Sequence, residues 1–222
     1  MKILIVLAHP ELQSMNGAMF KQAVKTLEEL GHEVKVSDLY RQEFNPVSDR
    51  RNFKTTYDAT FFKQQLEELH ATKNGGFADD IEMEQQKVEW CDLMIWQFPM
   101  WWFTVPAILK GWVDRVFAMG RFYGSDRCYE KGVFKGKKAM LSFTVGANEN
   151  AYLKNGLHGD LYGVLKPIHR GILHFTGFEV LRPQVVYAPV RQTAAQRALE
   201  LARWSERLKQ IATEEPVSVD IY

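Results

Sequence analysis

The stretch that most limits how this chain can fold is KILIVLA, Lys2 to Ala8, in which no polar residue interrupts the run from Ile3. A strand covered on one face alternates apolar and polar side chains. An unbroken run suits a strand buried on both faces, as in a parallel sheet with helices on either side. DLMIWQF (92–98) and KKAMLSFTV (137–145) have the same character. The run that ends at Ala8 is too short for a signal-peptide core or a membrane span, and His9-Pro10 follows at once.

Helical patterns separate these runs. Phe20, Val24, Leu27 and Leu30 recur at helical spacing, so Ala18 to Leu30 is expected as a helix closed by Gly31, with HEVKVSDLY as the second strand. From Arg41 to Gly76 the chain is polar and aromatic with no strand signal, and part of Thr60 to Leu69 is expected to be helical. DDIEMEQQKVEWC is an amphipathic helix with acids in its first turn, where the positive end of the helix dipole favours them. Val105 to Phe117 is expected as a helix with Pro106 in its first turn, and Asp160 to Phe175 as one that Pro167 kinks or interrupts. FEVLRPQVVYA is the fifth strand, and Thr193 caps a final helix running to Ala212. Five buried strands alternating with helices give an α/β fold, a doubly wound five-stranded parallel sheet, in one domain over residues 1–222.

With 28 basic and 27 acidic residues the formal net charge is +1, which argues against a nucleic-acid partner, since phosphate neutralisation needs a strong positive field. Two cysteines, Cys91 and Cys128, make neither a disulfide framework nor a zinc site, so a cytoplasmic, reduced location is expected. Cys91 is expected to be an inert core thiol. His169 and His174 have no cysteine or carboxylate at metal-ligand spacing beside them, so no metal is expected. His32 and His70 are expected at the solvated surface.

Ligands of an open parallel sheet bind outside the carboxyl ends of its strands, which singles out three loops: His9 to Gly17, Pro99 to Pro106 and Thr144 to Gly159. In the first, Gln13, Ser14 and Asn16 precede a helix. Backbone amides there can hold an anionic phosphate, or Ser14 or Asn16 can simply cap the helix. Neither a Walker A lysine nor a G-x-G-x-x-G is present. In the second, Trp101, Trp102 and Phe103 are either core or one wall for a flat heterocycle, and three large rings in a row cannot all face inward. In the third, Tyr152 and His158 are either packing and capping residues or a phenol–imidazole pair able to supply and absorb a proton.

The segments LAHPELQSMN, FPMWWFTVPAILKGWVDRVF, KKAMLSFTVG, GLHGD and PIHRGILHFTGFEVL together resemble NAD(P)H:quinone oxidoreductases of the DT-diaphorase type. The resemblance covers nearly the whole chain and is weakest from Arg41 to Gly76. It implies a flavodoxin-like fold with strand order 2-1-3-4-5, FAD rather than FMN as cofactor, NAD(P)H as co-substrate and a quinone or similar electrophile as acceptor. It also implies a ping-pong cycle and a homodimer with active sites at the interface; no membrane association is expected.

By the same resemblance, His9, Gln13, Ser14, Met15, Asn16 and Ala18 surround the pyrophosphate and adenosine. Gln13 stands where the family commonly has threonine. Pro99, Met100, Trp101, Trp102 and Phe103 contact the isoalloxazine and ribityl chain, with Trp101 in place of a glutamine. Thr144, Val145, Gly146 and Ala147 follow the flavin edge, Val145 and Ala147 replacing Thr and Gly. Tyr152 and His158 fall on the family's proton-relay pair, and Tyr152 also on the cofactor. Trp102, Phe103, Tyr123, His158 and Phe175 line the acceptor bay, with Ser125 in place of a second tyrosine. An azo or nitro reductase on the same scaffold, or a flavin-dependent regulatory subunit, are the alternatives. NADH against NADPH stays open, because no residue can be named that reads the 2′-phosphate.

Overall fold

The computed structural model describes residues 1–219, so the single-domain expectation over 1–222 reaches past the described residues. The strands are β1 (Lys2–Leu7), β2 (Glu33–Asp38), β3 (Leu93–Pro99), β4 (Lys138–Val145), β5 (Glu179–Val180) and β6 (Gln184–Tyr187). The helices are α1 (Met15–Glu29), α2 (Gln64–Asn74), α3 (Asp79–Trp90), α4 (Ala107–Val116), α5 (Leu161–Ile168) and α6 (Ala194–Leu208). All strand pairs are parallel, in the order β2-β1-β3-β4-β5 with β6 also on β4, which is the flavodoxin-like order expected.

The unbroken apolar runs are explained by the two-sided core. Leu4, Val6, Met94, Trp96, Phe98, Leu141 and Phe143 face α3, α4 and α5, where Val88, Leu109, Trp112 and Leu165 meet them. Their neighbours Ile3, Ile5, Leu93, Ile95 and Met140 point the opposite way, onto Met19, Ala23 and Leu27 of α1 and Trp204 and Leu208 of α6. Period-two side chains thus supply both faces from one strand. Trp204 Nε1 donates to Met19 O at 3.1 Å, which satisfies the one polar atom of that large ring.

Several boundaries differ from the sequence expectation. The fifth strand is two short segments, because Pro183 lacks the N–H that a continuous ladder on β4 would need. Helix α1 begins at Met15 rather than Ala18, and Gly17 allows it: a Cβ there would lie 2.3 Å from Leu12 O, where the preceding loop folds back. Pro106 is the residue before α4, not inside its first turn. The helix containing Pro167 is interrupted as expected: α5 ends at Ile168 and a π-helical turn, His169–His174, continues it. Thr193 caps α6 through a capping box with Gln196, as expected, but the helix ends at Leu208. His32 and His70 are half-buried rather than solvated, His70 packing on the Tyr57 ring.

Candidate functional site

Helix α1 opens the site. Ser14 accepts from Gly17 N at 3.1 Å, so it is the cap, and α1 has no acid in its first turn to neutralise its positive end. His9 Nδ1 accepts from Glu11 N at 2.9 Å, which leaves the ring proton on Nε2. Burial lowers the His9 pKa, so at neutral pH this is an uncharged ring with one N–H to offer. A cavity of about 440 Å³ lies over these groups. It is lined by His9, Gln13, Ser14, Met15 and Asn16, by Pro99 and Thr144, and by Pro189, Val190 and Arg197.

The start of α1 and the carboxyl ends of β3 and β4 are tied together at that cavity. Gln97 Nε2 donates to Asn16 Oδ1 at 2.8 Å, and Asn16 Nδ2 donates to Thr144 Oγ1 at 2.9 Å. Met100 N donates to Thr144 O at 2.9 Å. Asn16 therefore serves to tie α1 to β3 and β4, and Ser14, not Asn16, caps the helix.

Trp101 and Thr104 exchange backbone hydrogen bonds at 3.1 and 3.0 Å, closing a two-residue turn over Trp102 and Phe103. Both central residues are left-handed, with φ 52 and 60, in a turn whose usual occupants are Asn and Gly. Each left-handed non-glycine residue costs about 1–2 kcal/mol. The three rings face outward, not into the core: Trp101 is 44% exposed, Trp102 93% and Phe103 47%. Burial cannot be what holds this turn in a strained conformation.

The third loop comes up beside it. Asn148 caps a short 3₁₀ turn, Glu149–Tyr152, and His158 N donates to Ala151 O at 2.7 Å, folding the segment back on itself. The Tyr152 and His158 rings lie 5.0 Å apart, and Phe103 meets His158 edge-on at 5.3 Å. Tyr187 at the end of β6 packs 6.0 Å from Tyr152. Burial raises the pKa of both phenols, so each remains a proton donor at neutral pH. The helix-capping role is taken by Asp160, whose Oδ2 accepts from Gly163 N at 3.0 Å, which frees His158 from it.

Tyr123 and Phe175 do pair, with rings 5.6 Å apart, but in a second cluster with Tyr129 and His174. Ser125 is exposed at its edge. No ring contact among the described residues joins this cluster to His158. Nor do the described residues place three His, Cys, Asp or Glu side chains together to hold a metal ion. Cys91 is buried and its thiol is pushed up to about 12, so it is inert.

A profile of the flavodoxin-like fold matches residues 1–208. The chain belongs to that family. Ribosyldihydronicotinamide dehydrogenase (quinone) of Rattus norvegicus is 43% identical over 97% of this chain and 94% of its own length. NAD(P)H dehydrogenase (quinone) 1 of Cavia porcellus is 45% identical over 97% of this chain and 79% of its own. Among solved structures, one from Klebsiella pneumoniae described as a proposed quinone reductase superposes with a TM-score of 0.93 at 40% identity, covering 98% of this chain and 87% of that one.

In this flavodoxin-like chain the site also uses residues that sequence reasoning passed over. Arg197 reaches the cavity from α6, where its guanidinium donates to the carbonyls of Pro189 and Gln192. Gln97 lies inside an apolar strand, and a polar residue in such a run was the available signal. Tyr187 ends a strand whose neighbours attracted no attention.

Proposed function

We propose that this chain is a flavin-dependent NAD(P)H dehydrogenase that reduces quinones. The observation that carries this is the convergence of Tyr152, His158 and Phe103, together with a cavity lined by the start of α1 and the carboxyl ends of β3 and β4. The names of the rat and guinea-pig relatives, alike over nearly the whole chain, support it.

The residues fit a flavin dinucleotide. His9 Nε2–H and the start of α1 suit the diphosphate. The cavity continues past them to Pro189, Val190 and Arg197, leaving room for an adenosine, which favours FAD over FMN. Buried Gln97 Oε1 and Ser142 Oγ have no partner among the described residues. A bound flavin would supply two-electron hydride chemistry between NAD(P)H and the acceptor, as a ping-pong cycle requires. The protein's share is orientation and proton supply. The turn at Trp102 and Phe103 presents aromatic faces and backbone amides to a planar ring. The Tyr152 phenol donates a hydrogen bond to charge developing on that ring, and His158 exchanges the proton with solvent.

The bay is open on the side of Trp102, Leu153 and Leu157, all large apolar residues exposed to solvent. A homodimer would cover them, and would bring Tyr123 and Phe175 of one copy over the bay of the other. Two free cysteines accord with a cytoplasmic location. No helix among the described residues is long and apolar enough to cross a membrane.

Purified protein is expected to carry FAD and to oxidise NADH or NADPH fastest with benzoquinones in a panel of quinone, azo and nitro acceptors at matched concentrations. Faster turnover of an azo or nitro compound would reassign the acceptor. Protein unable to bind flavin would end the proposal.

A further inference from the structure

Helix α2 lies in the stretch from Arg41 to Gly76 where family resemblance is weakest, yet it holds the turn that carries Tyr123. Glu68 is the contact. Its side chain is buried at 4% exposure and reaches from α2 to the start of the turn at Met119. Oε2 accepts from Met119 N at 2.6 Å, at the start of the turn that leads to Tyr123. Oε1 is steadied by Gln64 Nε2 at 2.9 Å, one helical turn away.

The rest of the turn is shaped around that anchor. Gly120 N donates to Tyr123 O at 2.7 Å, and Thr72 Oγ1 reaches Met119 O at 3.3 Å. Gly120 has φ 86, and a Cβ there would lie 2.7 Å from Leu69 Cδ2, so the backbone rests directly on α2. Apolar contact with Leu69 would suffice to cover the turn. A buried carboxylate is an expensive way to do so, since desolvating one costs several kcal/mol. What the carboxylate adds is direction: its bond to Met119 N fixes the backbone at the start of the turn, and so where the Tyr123 ring meets Phe175.

We propose that Glu68 is a positioning residue for the acceptor, holding the Tyr123 turn so that the Tyr123–Phe175 pair presents a fixed aromatic wall. This rests on the reading in which that pair faces the acceptor bay of a second copy. Glu68 touches neither cofactor nor acceptor; it acts through Tyr123.

The test compares Glu68→Leu, Glu68→Gln and Tyr123→Leu as flavin-loaded proteins, with tetramethylbenzoquinone as acceptor. Glu68→Leu fills the same space without accepting a hydrogen bond. It is expected to raise the quinone KM roughly tenfold while kcat and the flavin dissociation constant change less than about twofold. Glu68→Gln keeps one acceptor oxygen and is expected to raise KM about threefold. Quinone binding to the oxidised protein, followed by flavin difference absorbance, should weaken in the same order.

The Glu68→Leu/Tyr123→Leu double variant should be no worse than Tyr123→Leu alone, since both changes remove one device. Should Glu68→Leu not retain flavin, the Glu68→Gln result decides. If Tyr123→Leu raises KM and the Glu68 variants do not, Glu68 is structural and the proposal is overturned. If Tyr123→Leu itself leaves KM unchanged, the pair does not face the acceptor and the reading beneath the proposal fails first.

Discussion

Gln97 and Asn16, 81 positions apart, are joined by a 2.8 Å hydrogen bond, and both side chains are almost wholly buried. Asn16 in turn holds Thr144, so one amide ties the start of α1 to the carboxyl ends of β3 and β4. Replacing Gln97 by Leu leaves Asn16 Oδ1 buried without a partner, which costs about 1–3 kcal/mol. The expected result is a flavin dissociation constant raised roughly tenfold, measured by fluorescence titration of the apoprotein. Unchanged affinity would mean that the network serves only the core.

The His158 ring meets Tyr152 on one side and Phe103 on the other. The double variant Tyr152→Phe, His158→Gln should slow flavin reduction in stopped-flow by about 10²–10³ and weaken flavin binding less than about fivefold. Equal reduction rates in wild type and variant would remove the proton-relay assignment.

Trp102 gives a separate test of purpose. Its ring is 93% exposed and its backbone left-handed at φ 52, so folding gains little from it. In Trp102→Gly, relief of backbone strain is offset by the greater freedom of the unfolded chain, about 0.5–1 kcal/mol. Stability to urea should therefore stay within about 1 kcal/mol of wild type, while the quinone KM rises several-fold. A large loss of stability would show that the ring packs against something essential.

His169 sits at the start of the π-helical turn, 3% exposed, with Nε2 unpartnered among the described residues. Burial pushes its pKa from the ordinary 6.5 down to about 4. As pH falls below 6.5 the unfolded chain takes up this proton and the folded chain does not until about 4. The folded state should lose up to about 3 kcal/mol across that window through this residue alone. His169→Gln should flatten the fall in unfolding free energy from pH 7 down to about 4, measured by urea denaturation. Parallel curves for the two proteins would place the acid sensitivity elsewhere.

The sheet was legible because its burial on both faces writes an apolar run into Ile3–Ala8, Leu93–Phe98 and Ala139–Val145. Helix starts were less so. The polar residues Asn16 and Gly17 look like loop, but they are inside α1 because Ser14 caps it and Gly17 admits the folded-back chain. Pro183 broke the last strand by a local backbone rule that a run of apolar letters conceals. In the site, Tyr152 and His158 were visible through family likeness, and their contact then followed from a backbone bond, His158 N to Ala151 O. Arg197 and Glu68 were not visible. Each reaches its target from a distant helix, and nothing local in the sequence marks a side chain whose partner lies across the fold.

The most direct measurement is an anaerobic titration of the FAD-loaded protein with NADH, then NADPH, following the oxidised-flavin absorbance. Rapid bleaching by at least one of them, reversed by adding a quinone, is the expected result and would also show the donor preference. Flavin that stays oxidised with both would contradict the two-step dehydrogenase, and would return Tyr152 and His158 to a purely structural role.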